Sequence, residues 1–307
     1  MLAYGTLRRG VAAFAFLLAL APAARAGQSA LPGAFADIGL SARAMGMGGA
    51  AAAGFGRAAD LSGNPAGLGG LVRPELSALQ TEQFGLVPTY YLAAARRLGG
   101  AGFGLGLLSS GDALLRENTL LIAGGRPLGD GRFGALALGL ALKLRHAAFG
   151  PEGDLPGIEG SAYGGAIDLG LQLRRGSARY GLFVEELASD LRWQSSGLGA
   201  YHEGVPPTLR AGLGVDAGAL SLAADLEVAL EAERAHKAAL GVEWRPHAVL
   251  ALRGGLSQRL ATQEQRFLSA GLGLGAGLEG GRRFQFDAAY LFHELGGSLR
   301  LEAALLL

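Results

Sequence analysis

Cysteine is absent from the 307 residues, which excludes a disulfide framework and any thiolate metal site. Charge is scarce as well. Charged residues make up 17% of the chain and the formal net charge is +1, so nothing in the balance points to a polyelectrolyte, and nucleic acid is excluded as a partner. Proline is outnumbered, 11 to 53, by glycine. The glycine share is about twice the usual one, and it is spread through apolar text instead of forming a low-complexity tail. Because glycine costs a helix interior roughly 1 kcal/mol against alanine, so many glycines inside regular structure favour sheet over bundle.

Catalytic and cofactor signatures are missing too. There is no G-x-S-x-G nucleophile elbow, and His146, His202, His236, His247 and His293 show no metal-ligand spacing. Gly102, Gly104 and Gly106, and later Gly271, Gly273, Gly275 and Gly277, recur at period two within apolar text, without the strand-turn-helix context that a dinucleotide loop needs. The reading is of a non-enzymatic protein with no catalytic residue, metal or cofactor.

What is present begins with a targeting pattern. Arg8 and Arg9 form a positive start, Val11 to Ala21 is an apolar run, and Ala24-Arg25-Ala26 gives a small-x-small cleavage site before Gly27. Residues 1–26 are therefore expected to be a cleavable signal peptide. Beyond them no uncharged apolar stretch reaches the roughly 20 residues of a spanning helix, so a mature membrane protein of this sequence has to be a barrel.

From Arg73 onward, apolar residues alternate with small or charged ones. Between Phe133 and Arg145, Leu136, Leu138, Leu140, Leu142 and Leu144 share one face, opposite Ala137, Gly139, Ala141, Lys143 and Arg145. The pattern recurs with Leu222, Leu226 and Val228 against Ser221, Asp225 and Glu227, and with Phe284, Phe286, Tyr290 and Phe292 against Arg283, Gln285 and Asp287. A leucine face suits lipid, and a face of glycine with sparse charges suits a crowded lumen. Lys143, Arg145, Arg210, Asp225, Glu227, Glu243, Arg253, Arg283 and Asp287 are the expected lumen charges, able to pair with one another, with little apolar lining between them. Trp193, Trp244, Tyr90, Tyr91, Tyr290 and Phe292 are candidates for interfacial girdles, or ordinary packing aromatics.

Segment counting predicts an all-β fold, a transmembrane antiparallel β-barrel of about 14 strands spanning residues 73–307. Short connections such as Gly99-Gly100 and Gly176-Ser177 alternate with longer ones, notably Ala147 to Ser161 and Leu191 to Pro206. That alternation puts both chain ends on the periplasmic side. Residues 27–72 break the pattern. They are rich in small residues from Ala42 to Gly56, and Pro65 stands near a helix start. The segment reads as a plug or hatch within the lumen, with a flexible periplasmic leader as the alternative.

The run Phe35-Ala36-Asp37-Ile38-Gly39 leading into RAMGMGGA (Arg43 to Ala50), followed by NPAGL (Asn64 to Leu68), resembles the start of PorV/PorQ-type outer-membrane proteins, which sit with the broader FadL-like barrels. PPTLRAGLG (Pro206 to Gly214), LGVEW (Leu240 to Trp244) and FQFDAAY (Phe284 to Tyr290) extend the likeness over most of the mature chain. The resemblance implies a FadL-like outer-membrane barrel with a plug motif at Arg43, Met45, Gly46, Met47, Gly48, Gly49, Asn64 and Pro65. It implies an accessory or shuttle role in protein secretion or envelope assembly, with secretion-machine proteins or secreted cargo as partners beside outer-membrane lipid. The alternative is a FadL-like channel whose partner is a hydrophobic small molecule.

Overall fold

The computed structural model describes residues 39–150, 157–230, 236–260, 265–293 and 296–307. The expected signal peptide, residues 1–26, and residues 27–38 of the following segment lie outside the described residues. Within them the period-two text forms β1 (Glu75–Gln83), β2 (Val87–Leu98), β3 (Ala101–Gly111), β4 (Leu115–Gly131), β5 (Gly134–Phe149), β6 (Gly160–Arg175), β7 (Ala178–Ser195), β8 (Gly199–Glu203), β9 (Thr208–Ala217), β10 (Leu220–Ala229), β11 (His236–His247), β12 (Leu250–Leu260), β13 (Gln265–Gly277), β14 (Arg283–Phe292) and β15 (Ser298–Leu306). Neighbours in sequence pair antiparallel, β7 skips to β9, and β15 returns to β1. The result is a closed 14-stranded barrel with β8 as an added strand on the far half of β7. Closure removes the free edges that an open sheet would present.

The alternation sorts side chains as the sequence indicates. On β5, Leu138, Leu140, Leu142 and Leu144 point outward at 39–53% exposure, while Ala137, Ala141, Lys143 and Arg145 point inward at 7% or less. Soluble monomers rarely carry contiguous apolar patches above a few hundred Å². Here outward leucines recur on β2, β3, β5, β10, β11, β12 and β13.

The wall is uneven in height. Strands β4 to β7 have 16–18 residues, against 9–13 in the other ring strands. Part of this height corrects the sequence reading. The expected loop from Leu191 to Pro206 is largely a hairpin, in which Leu191–Ser195 pairs with Gly199–Glu203. Its turn is polar and glycine-rich, but Trp193 stacks on Tyr201 at 6.1 Å and donates through Nε1 to Glu203 at 2.8 Å. Those contacts supply the packing that loop-like composition hid. The expected loop from Ala147 to Ser161 is shortened at both ends, since β5 runs to Phe149 and β6 starts at Gly160; residues 151–156 lie outside the described ones.

Two of the girdle candidates are misassigned. Tyr91 is 2% exposed and packs inside the barrel, and Trp193 sits at 5% with Ala147, Ala162 and Leu191. Trp244, Tyr90, Tyr290 and Phe292 are exposed.

A bulge interrupts β7. Ala188 opposes Ile167 and Val184 opposes Leu169, so residues 185–187 share the place opposite Asp168. Glu186 takes φ +57°, a left-handed conformation that costs a non-glycine residue, and its N–H donates to Asp168 Oδ1 at 2.9 Å. The bulge re-aims two adjacent carboxylates, Glu185 and Glu186, at Lys143.

Candidate functional site

The residues before β1 run inside the barrel. The short helix α1 (Ala42–Gly46) starts at Ser41, whose Oγ accepts from the Ala44 N–H. Two stretches of 3₁₀ turn follow, Ala58–Leu61 and Pro65–Gly70, the second capped by Asn64 with proline at its first position. The absence of bulk lets this backbone lie directly on the wall. A methyl group at Gly181 would overlap the Ala52 carbonyl, and one at Gly255 would overlap the backbone of Met47 and Gly48. These close approaches account for inward glycine better than strand preference does.

Polar contacts hold the segment to β6, β10, β11, β13 and β15 and to Glu75 of β1. Ala51 N and Ala52 N both donate to Asp225 Oδ2 at 2.7 Å, Ala42 N donates to Glu302 at 2.9 Å, and Gly48 N donates to Ser269 Oγ at 3.1 Å. Arg43 forks onto Glu243 at 2.8 and 2.9 Å, and Arg57 onto Glu75 at 2.6 and 2.9 Å. Asn64, fully buried, accepts from Ala66 N and donates to Ala52 O and Leu171 O, tying the second turn to β6. Asp60 gathers the backbone N–H groups of Phe55, Gly56 and Arg57. Burial pushes its carboxyl up to about 6, against those three donors, which favour the ionised form.

Toward β1–β5 apolar contact prevails, beside the Glu75 fork and the Arg97 bonds to Gly69 O and Leu71 O. Leu40, Leu61, Leu68 and Leu71 pack on Leu79, Tyr91, Leu121 and neighbouring alanines. This corrects the expectation of a lumen with little apolar lining, and the reason is specific. Leu79, Tyr91 and Leu121 are single large apolar residues on inward faces otherwise made of glutamate, serine, threonine, alanine and glycine, which the overall pattern of each face masks.

The candidate residues fall into distinct groups. Met45 packs with Ala42 and Ala289, Met47 is 1% exposed, Gly46 lies against Gly271 and Arg253, and Gly48 and Gly49 adopt positive φ. Asn64 and Pro65 lie against Gly170 of β6. Among the lumen charges, Lys143 meets Asp168, Glu185 and Glu186 at 2.7–3.1 Å, Arg145 binds Glu186, and Arg210 joins Glu185 to Glu227. A second group centres on Glu243, which takes Arg43, Arg245 and Arg253 together, with Arg253 continuing to Asp287. Asp225 belongs to neither group, as its contacts are the segment's N–H groups, and Arg283 is exposed at the rim, donating to Ala248 O. Arg57, Asp60, Glu75, Asp168, Glu186, Arg245 and Glu302 were not among the candidates. Extending the period-two face would have found Glu75, Asp168, Arg245 and Glu302. Among the described residues, no group of three or more His, Cys, Asp or Glu side chains is placed to hold a metal ion.

A closed 14-stranded antiparallel barrel with an N-terminal segment folded into its lumen is the FadL-like architecture, and comparison with solved structures agrees. The chain is similar to a structure described as the CymD monoaromatic hydrocarbon channel, with a TM-score of 0.62 and 16% identity over 89% of this chain and 97% of that one. It is also similar to the Pseudomonas putida toluene transporter TodX, at 0.61 and 15% over 88% and 98%. A Pseudomonas aeruginosa FadL homologue gives 0.56 and 12% over 87% and 97%. No protein-family profile matches the sequence, and no curated protein matches it. At these identities the likeness is one of fold.

Proposed function

We propose that the protein is an outer-membrane barrel that passes hydrophobic small molecules, with residues 39–72 as a hatch that has to yield for passage. The observation that carries this reading is the two-sided seating of the segment. Toward β6, toward β10, β11, β13 and β15, and at Glu75 of β1 it is held by ion pairs and hydrogen bonds, whereas toward β2–β5 leucine contacts prevail, beside the Arg97 bonds to Gly69 O and Leu71 O at 3.4 Å. Apolar contact is non-directional, so a hydrophobic solute can replace the wall's leucines as partner of Leu61 and Leu68 without stranding a polar group. An ion-paired seam offers no such exchange. The outward leucines supply the lipid contact, the signal peptide supplies export, and the chain ends then lie in the periplasm. The neighbours described as hydrocarbon channels and a toluene transporter support this reading.

A second reading, an accessory component of secretion of the PorV/PorQ kind, draws on the N-terminal motif pair and on the β7–β8 hairpin, whose exposed Leu198 stands at its turn. The experiment is toluene uptake by cells that carry the full chain in the outer membrane, against cells that lack it. Faster entry is expected. Unchanged entry, with secretion proteins co-purifying with the barrel, would transfer support to the second reading.

A further inference from the structure

A cavity of about 530 Å³ opens at the barrel end that carries the short turns. Six arginines line it: Arg43 and Arg57 from the inner segment, and Arg179, Arg245, Arg253 and Arg283 from the wall. Their direct carboxylate partners are four, Glu75, Asp216, Glu243 and Asp287, because Glu243 alone serves Arg43, Arg245 and Arg253. Two positive charges are left over. One donor in the lining is also unspent, since Arg179 Nε is buried and has no hydrogen-bond partner among the described residues. Access from solvent is through Arg245, whose side chain is 50% exposed, and through Arg283.

We infer that this cavity binds a phosphate dianion, free or as part of a larger solute, clamped between the inner segment and the wall. A guanidinium presents paired donors that match oxyanion geometry. Arginines arriving from five separate elements surround a tetrahedral group better than a planar carboxylate, which one or two forks satisfy. The surplus of positive charge among the direct pairs favours a dianion. Because Arg43 and Arg57 belong to the segment and Arg245 and Arg283 to the wall, an anion bound among them fastens the segment in place. The site itself does not depend on the proposed passage of hydrophobic solutes; only its effect on the hatch does.

The test is calorimetric titration of the full chain in detergent, at constant ionic strength, with inorganic phosphate and with dihexanoyl phosphatidic acid. Saturable binding of at least one is expected, and the tighter one identifies the source of the phosphate group. The double variant Arg245→Ala/Arg283→Ala should retain the circular dichroism of a folded barrel and weaken that binding at least tenfold. Binding of neither probe to the folded wild type, or equal binding by the variant, would overturn the assignment. Toluene uptake measured on the same variant separates the two proposals: lost phosphate binding with toluene entry intact supports the site, and absence of toluene entry in the wild type counts only against passage.

Discussion

Leu138→Arg is expected to destabilise the barrel by about 2–4 kcal/mol in lipid, the cost of a guanidinium on the outer face near the bilayer midplane. Leu138→Phe, which only adds apolar bulk there, should change stability by less than about 1 kcal/mol, because lipid chains rearrange around it. At the adjacent position the order reverses in its cause. Ala137 is 7% exposed and faces the second turn of the inner segment, where a methyl group on Gly69 would already stand 3.2 Å from the Ala137 Cβ. Ala137→Phe should therefore cost about 1–3 kcal/mol by overpacking, and Ala137→Arg should fare no better. Urea unfolding in liposomes reads all four variants. Tolerance of phenylalanine at 137 together with intolerance at 138 would invert the facing.

The second large effect is at Glu243. Its carboxylate is fully buried and receives Arg43, Arg245 and Arg253 at 2.6–2.9 Å. Glu243→Ala leaves the buried Arg43 and Arg253 without that partner, which should cost about 3–5 kcal/mol. Asp216→Ala removes a carboxylate that is 44% exposed, and solvent takes over its role, so its cost should stay below about 1 kcal/mol. Limited proteolysis adds a local readout. The segment around Arg43 should become cleavable in Glu243→Ala while the strands stay resistant. Equal stability of the two variants would mean that the shared carboxylate does not hold the segment.

The barrel was legible because lipid and lumen make opposite demands on successive residues. Leu138 to Leu144 against Ala137 to Arg145 expresses that contrast without interruption, so strand and facing follow from one stretch. Where the contrast fades, the reading fails. Leu79, Tyr91 and Leu121 are single large apolar residues on the inward face, masked by the overall pattern of that face. The β7 bulge at Glu186 and the β7–β8 hairpin depend on pairing partners, and Gly197-Leu198-Gly199 reads as loop on its own. The site was legible as two lists, a motif segment and a set of inward charges. That Arg43 chooses Glu243, 200 residues away, is set by the curvature of the closed ring, which no local spacing encodes.

The hatch is tested most directly by fixing it shut. The chain has no cysteine, and on the leucine side a Cβ at Gly69 would stand 3.2 Å from the Ala137 Cβ on β5, a few tenths of an ångström short of the usual disulfide span. The measurement is toluene entry into cells carrying Gly69→Cys/Ala137→Cys, oxidised and then reduced. The account predicts that entry stops in the oxidised form and returns on reduction. Undiminished entry with the disulfide formed would contradict it, since the solute would then pass without moving the segment from the wall.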